Sequence, residues 1–326
     1  MKYMRAPLWL AGLLIATPLF AAAATPQLSE KVVVNGAFGK APEQYGSTNL
    51  GASTKTVRLV NCFAANANYI AVHDRIKRDV KLYSTAGLFD KAIRLRLTGA
   101  KPDTVRARDI ALGGDVLYVL VDDQSDGSKK MPASMRLATF DVATGACRDV
   151  RTLNTVLLAD GAVTARGPEA YFLHPDGKTL WFVDSIRQMT FEIQSGNPAE
   201  LSHRPIFGWG SKYRVRTDDD ASTINLCDAS GKILRRMPGS GVLVAVSADG
   251  GNFALMQTAG GSDWKITIFN SDGDPIAQAP RPNRVWKPFK PPVMERKYEL
   301  VGTTGGADLY EMYAGADGVR IVRWTK

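Results

Sequence analysis

A two-part turn signal recurs along this 326-residue chain, and repetition of that kind constrains architecture before any single residue suggests chemistry. Its first half is a tight turn that opens at once into a short apolar strand. The sharpest copy runs His174-Pro175-Asp176-Gly177-Lys178 into Thr179-Leu180-Trp181-Phe182-Val183, and Asp184 follows. Further copies place Asn68 before Tyr69-Ile70-Ala71-Val72, Gly114 before Val116-Leu117-Tyr118-Val119, and Ser211 before Tyr213-Arg214-Val215. Gly250 precedes Phe253-Ala254-Leu255-Met256, and Gly306 precedes Leu309-Tyr310-Glu311-Met312. The second half is an aromatic or aliphatic strand end followed by a polar turn with glycine. It runs from Tyr83 to Gly87, Phe140 to Gly145, Phe191 to Gly196, Leu226 to Gly231 and Phe269 to Gly273. After the sixth opening turn the chain instead makes Val319-Arg320-Ile321-Val322-Arg323-Trp324, so the last unit lacks its outer strand.

Long amphipathic helical patterns are scarce, whereas runs of Val, Ile, Leu, Tyr and Phe alternate with Gly, Asp, Asn and Ser clusters, which predicts an all-β chain. No Pro/Ser-rich linker divides residues 25–326, so one repetitive domain is the economical organisation, and the regular spacing favours it over a pair of β-sandwiches. The expected fold is a single β-propeller of six blades. A strand from one terminus commonly completes the blade begun by the other, and Lys31-Val32-Val33-Val34 is the donor at hand. Residues 39–55 and 280–297 are long enough for an irregular seventh blade. The run His174 to Asp184 resembles the repeat signature of the TolB-like and YVTN-type bacterial propellers, and Ser247-Ala248-Asp249-Gly250 is a weaker copy. That resemblance implies a propeller, and by analogy a binding role.

Residues 1–24 carry Lys2 and Arg5, an apolar run from Ala6 to Phe20, and Ala21 to Ala24, which is the pattern of a signal peptide. The apolar run is shorter than the roughly 20 residues a membrane span needs, so no transmembrane segment is expected after cleavage near Thr25. The expected location is periplasmic or secreted. Loss of the leader removes two positive charges from the formal +9, and the chain stays basic. A basic exported protein suits an anionic partner such as a membrane surface, an acidic glycan or an acidic protein, and export argues against nucleic acid. Cys62, Cys147 and Cys227 are odd in number and widely spaced; they describe no disulfide framework, zinc motif or haem attachment, and burial of single thiols is preferred to one bridge.

In a propeller the loops between the second and third strands of each blade share one face around the central channel. The repeat phase puts Asp74, Asp122, Asp184 and Asp218 at the start of four such loops, with Gln257 and Tyr313 in the other two. Several carboxylates suit a hard cation such as calcium, yet aspartate also opens turns by bonding the backbone two residues on, and phase spreads these four around a ring. Asp122-Asp123-Gln124-Ser125-Asp126-Gly127 has the alternation of a calcium loop but meets Ala133 where the closing glutamate belongs. Asp218-Asp219-Asp220 reads as a solvated acidic loop. Basic residues concentrate at Arg75, Lys77, Arg78 and Lys81, and again from Arg281 to Lys297, where Trp286, Lys287, Phe289 and Lys290 interleave aromatics with cations in a proline-rich stretch suited to a partner surface.

His73, His174 and His203 fall on different units, and no nucleophile elbow, metalloprotease helix or phosphate loop accompanies them. No catalytic or metal residue is therefore assigned. The expectation is a monomeric, non-catalytic, cofactor-free propeller that binds a protein or cell-envelope partner through Asp74, Arg75, Asp122, Asp184, Asp218, Trp286, Lys287, Phe289 and Lys290. Two alternatives stay open. One is a calcium-dependent hydrolase or lactonase of the six-bladed type; the other is a glycan binder that stacks sugars on Trp181, Trp209 or Trp264.

Overall fold

In the computed structural model every regular element among the described residues is a β-strand. The structure describes residues 25–46, 60–97, 105–123, 135–153, 170–173, 179–183, 188–192, 197–200, 206–207, 213–217, 223–228, 232–238, 242–260, 263–281, 298–315 and 318–326. Strand β1 (Ser29–Ala37) stands apart from its neighbours in sequence. The first sheet holds β2 (Val60–Ala65), β3 (Tyr69–Asp74), β4 (Asp79–Ser84) and β5 (Phe89–Arg94). The second holds β6 (Val105–Gly113), β7 (Val116–Asp123), β8 (Met135–Asp141) and β9 (Cys147–Leu153). The third holds β10 (Ala170–Leu173), β11 (Thr179–Val183), β12 (Gln188–Glu192) and β13 (Asn197–Glu200), and the fourth β14 (Ile206–Phe207), β15 (Tyr213–Thr217), β16 (Thr223–Asp228) and β17 (Ile233–Pro238). The fifth holds β18 (Val242–Val246), β19 (Asn252–Gly260), β20 (Asp263–Asn270) and β21 (Pro275–Arg281).

Within each of these sheets consecutive strands are antiparallel neighbours. The sixth sheet breaks chain order: β22 (Tyr298–Thr303), β23 (Gly306–Gly315) and β24 (Gly318–Thr325) are completed by β1, which pairs antiparallel with β24 from Ser29 opposite Thr325 to Ala37 opposite Gly318. The donor segment Lys31 to Val34 lies inside β1, as expected from the sequence. Each opening signal in the sequence precedes the second strand of a sheet, β3, β7, β11, β15, β19 or β23, and each closing signal runs on from the third strand of one of the first five sheets.

The inner strands read as apolar runs because they are covered on both faces. β3 is buried from Ile70 to Asp74, whereas the outer β9 is exposed except at Val150 and Leu153. Alternate residues of one strand therefore enter different cores. In β4, Val80 and Leu82 join the core between the first and second sheets with Ile110, Leu117 and Phe140. Tyr83 of the same strand joins the core shared with the sixth sheet, beside Val34, Phe63, Tyr310 and Ile321. A third core joins the fifth and sixth sheets through Ile266, Leu300, Leu309 and Trp324, and a fourth joins the fourth and fifth through Leu226, Met237, Phe253 and Leu255. Where these cores lie the sheets stack face to face, and the faces that meet there are apolar because each covers the other.

The turn glycines carry the backbone where other residues are strained. Gly87 has φ +87° and a Cβ there would lie 1.5 Å from the Val33 carbonyl oxygen, so the turn after β4 abuts β1 with no room for a side chain. Gly114 also has positive φ, +63°, but faces open space. Gly87→Ala is therefore expected to destabilise the protein by more than about 2 kcal/mol, against about 1 kcal/mol for Gly114→Ala, where only backbone strain acts. Urea unfolding of the two variants measures the difference; equal losses would show that the contact with β1 adds nothing.

Candidate functional site

β3 ends at Asp74, and the turn that follows is organised by this one carboxylate. Oδ1 accepts the Ile76 and Lys77 N–H groups at 3.0 Å each, and the Asp74 carbonyl accepts the Arg78 N–H at 2.8 Å, which is an aspartate-opened turn. Arg78 sits at φ +57°, a left-handed conformation that a long side chain adopts at a cost of about 1–2 kcal/mol. Oδ2 faces the other way and accepts the Gly46 N–H at 2.7 Å. That bond fastens a strap, residues 38–46, which leaves β1 and folds back on itself: the Tyr45 N–H donates to the Ala37 carbonyl and the Gly39 N–H to the Tyr45 carbonyl, both at 2.9 Å.

Two lysines hold the strap down from beneath. Lys77 Nζ donates to the carbonyls of Ala41 at 2.6 Å and Gln44 at 2.7 Å. Lys81 Nζ donates to the Pro42 carbonyl at 2.7 Å and to Asp79 Oδ1 at 3.2 Å, and lies 3.7 Å from Asp74 Oδ2. Lys81 is fully buried, with its ammonium 5.5 Å from the centre of the Tyr45 ring. The Tyr83 hydroxyl donates to that of Tyr45 at 3.0 Å. An ammonium withdrawn from water must have its donors met and its charge balanced, and here backbone carbonyls and two carboxylates do both.

Burial governs the titration of this cluster. It pushes Tyr83 up to about 12 and Tyr45 well above the usual tyrosine range. It raises the Asp79 carboxyl against the opposing pull of Lys81, and it lowers the Lys77 ammonium, with the neighbouring Lys81 charge acting in the same direction. His73, on the opposite side of β3 from Val72, is held near 4 by burial, against the attraction of Asp74, and is neutral at physiological pH.

Asp74 and Asp79 are buried, whereas Lys40, Arg75, Arg78, Arg94 and Arg96 are exposed, with Glu43 an exposed acid in the strap. The Arg94 guanidinium is braced by Nη1, which donates to the Lys77 carbonyl at 2.7 Å, and the Leu95 N–H donates to the Arg78 carbonyl at 3.2 Å. The turn and the exit of β5 are thereby one platform.

Of the residues expected at a binding site, Asp74 and Arg75 are adjacent here, the first as the buried turn anchor and the second exposed. Asp122 lies within β7, opposite Met135, instead of opening a loop. Gln257 and Tyr313 are likewise within strands, opposite Lys265 and Arg320. These hairpins stay paired further than the first, so the common phase ends different strands at different points. The side chain of Asp122, and Asp184, Asp218, Trp286, Lys287, Phe289 and Lys290 as a whole, lie outside the described residues. Among the described residues no three His, Cys, Asp or Glu side chains group to hold a metal ion, and no helix is long and apolar enough to cross a membrane. Trp264 is half-buried against the core of the fifth and sixth sheets. Cys62 is buried and Cys147 exposed.

Burial sets Lys81 apart from Arg75, Lys77 and Arg78, with which it clusters in sequence. A parity signal was available: Asp79, Lys81 and Tyr83 occupy alternate positions and so share one face of β4, a polar face that needs a polar cover.

No protein-family profile matches the chain, and no curated protein matches it. A solved structure of a structural genomics protein of unknown function from Bacteroides thetaiotaomicron is similar at 14% identity and a TM-score of 0.44, over 92% of this chain and 76% of that one.

Lys81→Met leaves Asp74 and Asp79 buried without their counter-charge and is expected to cost about 3–5 kcal/mol in urea unfolding; a loss below about 0.5 kcal/mol would show the pair to be dispensable. His73 gives a pH signature. Its folded value, near 4, lies below the ordinary 6.5, so the unfolded chain binds the proton first and stability falls as pH drops from 6.5 through 4, by up to about 3 kcal/mol. Subtracting the stability profile of His73→Gln isolates this contribution from that of Asp79, whose raised value acts in the opposite sense. A difference curve flat across that window would contradict the burial of a neutral imidazole.

Proposed function

We propose that this chain is an exported β-propeller of six blades, closed by β1, which binds a protein or cell-envelope partner without catalysis. Six antiparallel four-stranded sheets, successive cores between neighbours and a sixth sheet completed from the far end of the chain support the ring. The repeat signature at His174 to Asp184 and the leader-like residues 1–24 support the likeness to TolB-like and YVTN-type propellers and a periplasmic or secreted location. The proposed binding face is the one that carries the turn between β3 and β4.

One observation carries the binding reading: the carboxylates of that turn are occupied internally, by backbone N–H groups and Lys81, while Arg75, Arg78 and Arg94 are exposed residues on a braced backbone. A surface so arranged presents fixed positive charge to a partner at little ordering cost. At Asp74, oxygens that a calcium ion would require already accept three backbone N–H groups, which favours the binder over the calcium-dependent hydrolase.

Immobilised protein incubated with envelope extract tests the reading. Retention of a discrete set of envelope components is expected, weakened at least severalfold by Arg75→Glu with Arg94→Glu. Trp286→Ala with Lys287→Glu probes the proline-rich stretch in the same way. Capture of nothing by the wild type, or capture indifferent to all four substitutions, would count against a binding face of this kind.

A further inference from the structure

Tyr45 is among the largest fully buried side chains of the described residues, although it stands in the irregular backbone of the strap and not in a strand. On one side its ring lies against Gly36 of β1, so closely that a Cβ at Gly36 has no room, and Gly36 is paired with Val319 of β24. On the other side it meets the first sheet: the Lys81 ammonium is 5.5 Å from the ring centre, and the Tyr83 hydroxyl donates to that of Tyr45 at 3.0 Å. Its backbone turns back onto β1, with the N–H donating to the Ala37 carbonyl at 2.9 Å. Val33 and Val34 of β1, Tyr45 of the strap, Ile70 and Tyr83 of the first sheet and Met312 and Ile321 of the sixth share one core. The other bonds that fasten the strap reach its backbone from the first sheet: Lys77 to the Ala41 and Gln44 carbonyls, Lys81 to that of Pro42, and Asp74 to the Gly46 N–H.

We infer that β1 and the strap, residues 29–46, form a clasp: one cooperative unit that joins the sixth sheet to the first and releases both together, with the Tyr45 ring as the link between its halves. The inference stands apart from the binding reading. Cooperative opening of a contiguous segment requires that neither half keep its burial once the other has left. That condition is met at Tyr45. A strap lifted from the first sheet takes the ring away from Gly36 and opens the core that Val33 and Val34 enter, and a β1 detached from β24 removes the surface on which the ring rests. Close-packed groups of this kind are either together or apart, which makes the contact a coupling and not an independent pair. The sheets themselves are paired within their own strands and keep that pairing when the clasp opens. Lys77, Lys81 and Asp74 hold the clasp shut from the first sheet, so side chains on β3, β4 and the turn between them control the pairing of a strand that belongs to the sixth.

The test is amide hydrogen exchange of the full protein, read by mass spectrometry on peptides that cover β1, the strap and the β7–β8 hairpin. In Tyr45→Ala, exchange in residues 29–37 and in residues 38–46 is expected to rise by the same factor, at least about tenfold, while the β7–β8 hairpin exchanges as in the wild type. Lys77→Met removes the donors to the Ala41 and Gln44 carbonyls, on the side of the strap held by the first sheet, and the same joint rise is expected, about severalfold. Faster exchange confined to residues 38–46, with β1 at the wild-type rate, would overturn the clasp, because the strap would then open alone. A uniform rise that includes the β7–β8 hairpin would overturn it too, since the segment would open only with the whole fold. Should Tyr45→Ala fail to fold, Lys77→Met decides by the same pattern, and wild-type exchange throughout that variant counts against the clasp.

Discussion

Antiparallel pairing of β1 with β24 is the interaction on which the remaining geometry rests, because it brings the two ends of the described chain into one sheet. A three-stranded β22–β24 sheet would leave the backbone donors and acceptors of β24 open along one side; β1 occupies that edge from Ser29 to Ala37. The same strand then leads directly into the strap, so one short segment both completes the sixth sheet and is fastened to the first. Val33 and Val34 enter the core shared by these sheets, and the turn at Gly87 closes on the Val33 carbonyl.

The fastening is polar, and its chemistry determines which charges reach the surface. A strap of irregular backbone lying over a sheet brings carbonyls that must be satisfied, and Lys77 and Lys81 supply the donors. Burying Lys81 in turn requires negative charge, which Asp74 and Asp79 provide. The two carboxylates thus share the interior with the lysine, while Arg75, Arg78, Arg94 and Arg96 are exposed. The exposed arginines at this end of the sheet accompany that internal electrostatic balance, and the proposed binding role rests on the arrangement.

Much of the architecture was legible because it depends on local rules. Turn glycines such as Gly87, Gly145 and Gly273 adopt positive φ, and the strands they delimit read directly as apolar runs. The donor strand was legible from the missing outer strand of the last unit. The strand-end phase was less so: Gln257 and Tyr313 keep pairing beyond the point where β3 stops at Asp74, because hairpin length depends on what the partner strand offers opposite, such as Lys265 and Arg320. The clustering of Lys81 with Arg75, Lys77 and Arg78 in sequence does not reveal its burial, whereas strand alternation turns it to the face the strap covers.

The sequence by itself determined the all-β class, the repeating unit and its turns, and the identity of the strand that would complete the last sheet, since each depends on periodicity and on residues close in the chain. Tertiary structure alone decided that Lys81 is interior and that Asp74 is a turn anchor bonded to Gly46. Those outcomes depend on a strap more than thirty residues upstream of the lysines it covers, and burial, which sets both charge and pKa, is a property of what lies over a side chain and not of its neighbours along the chain.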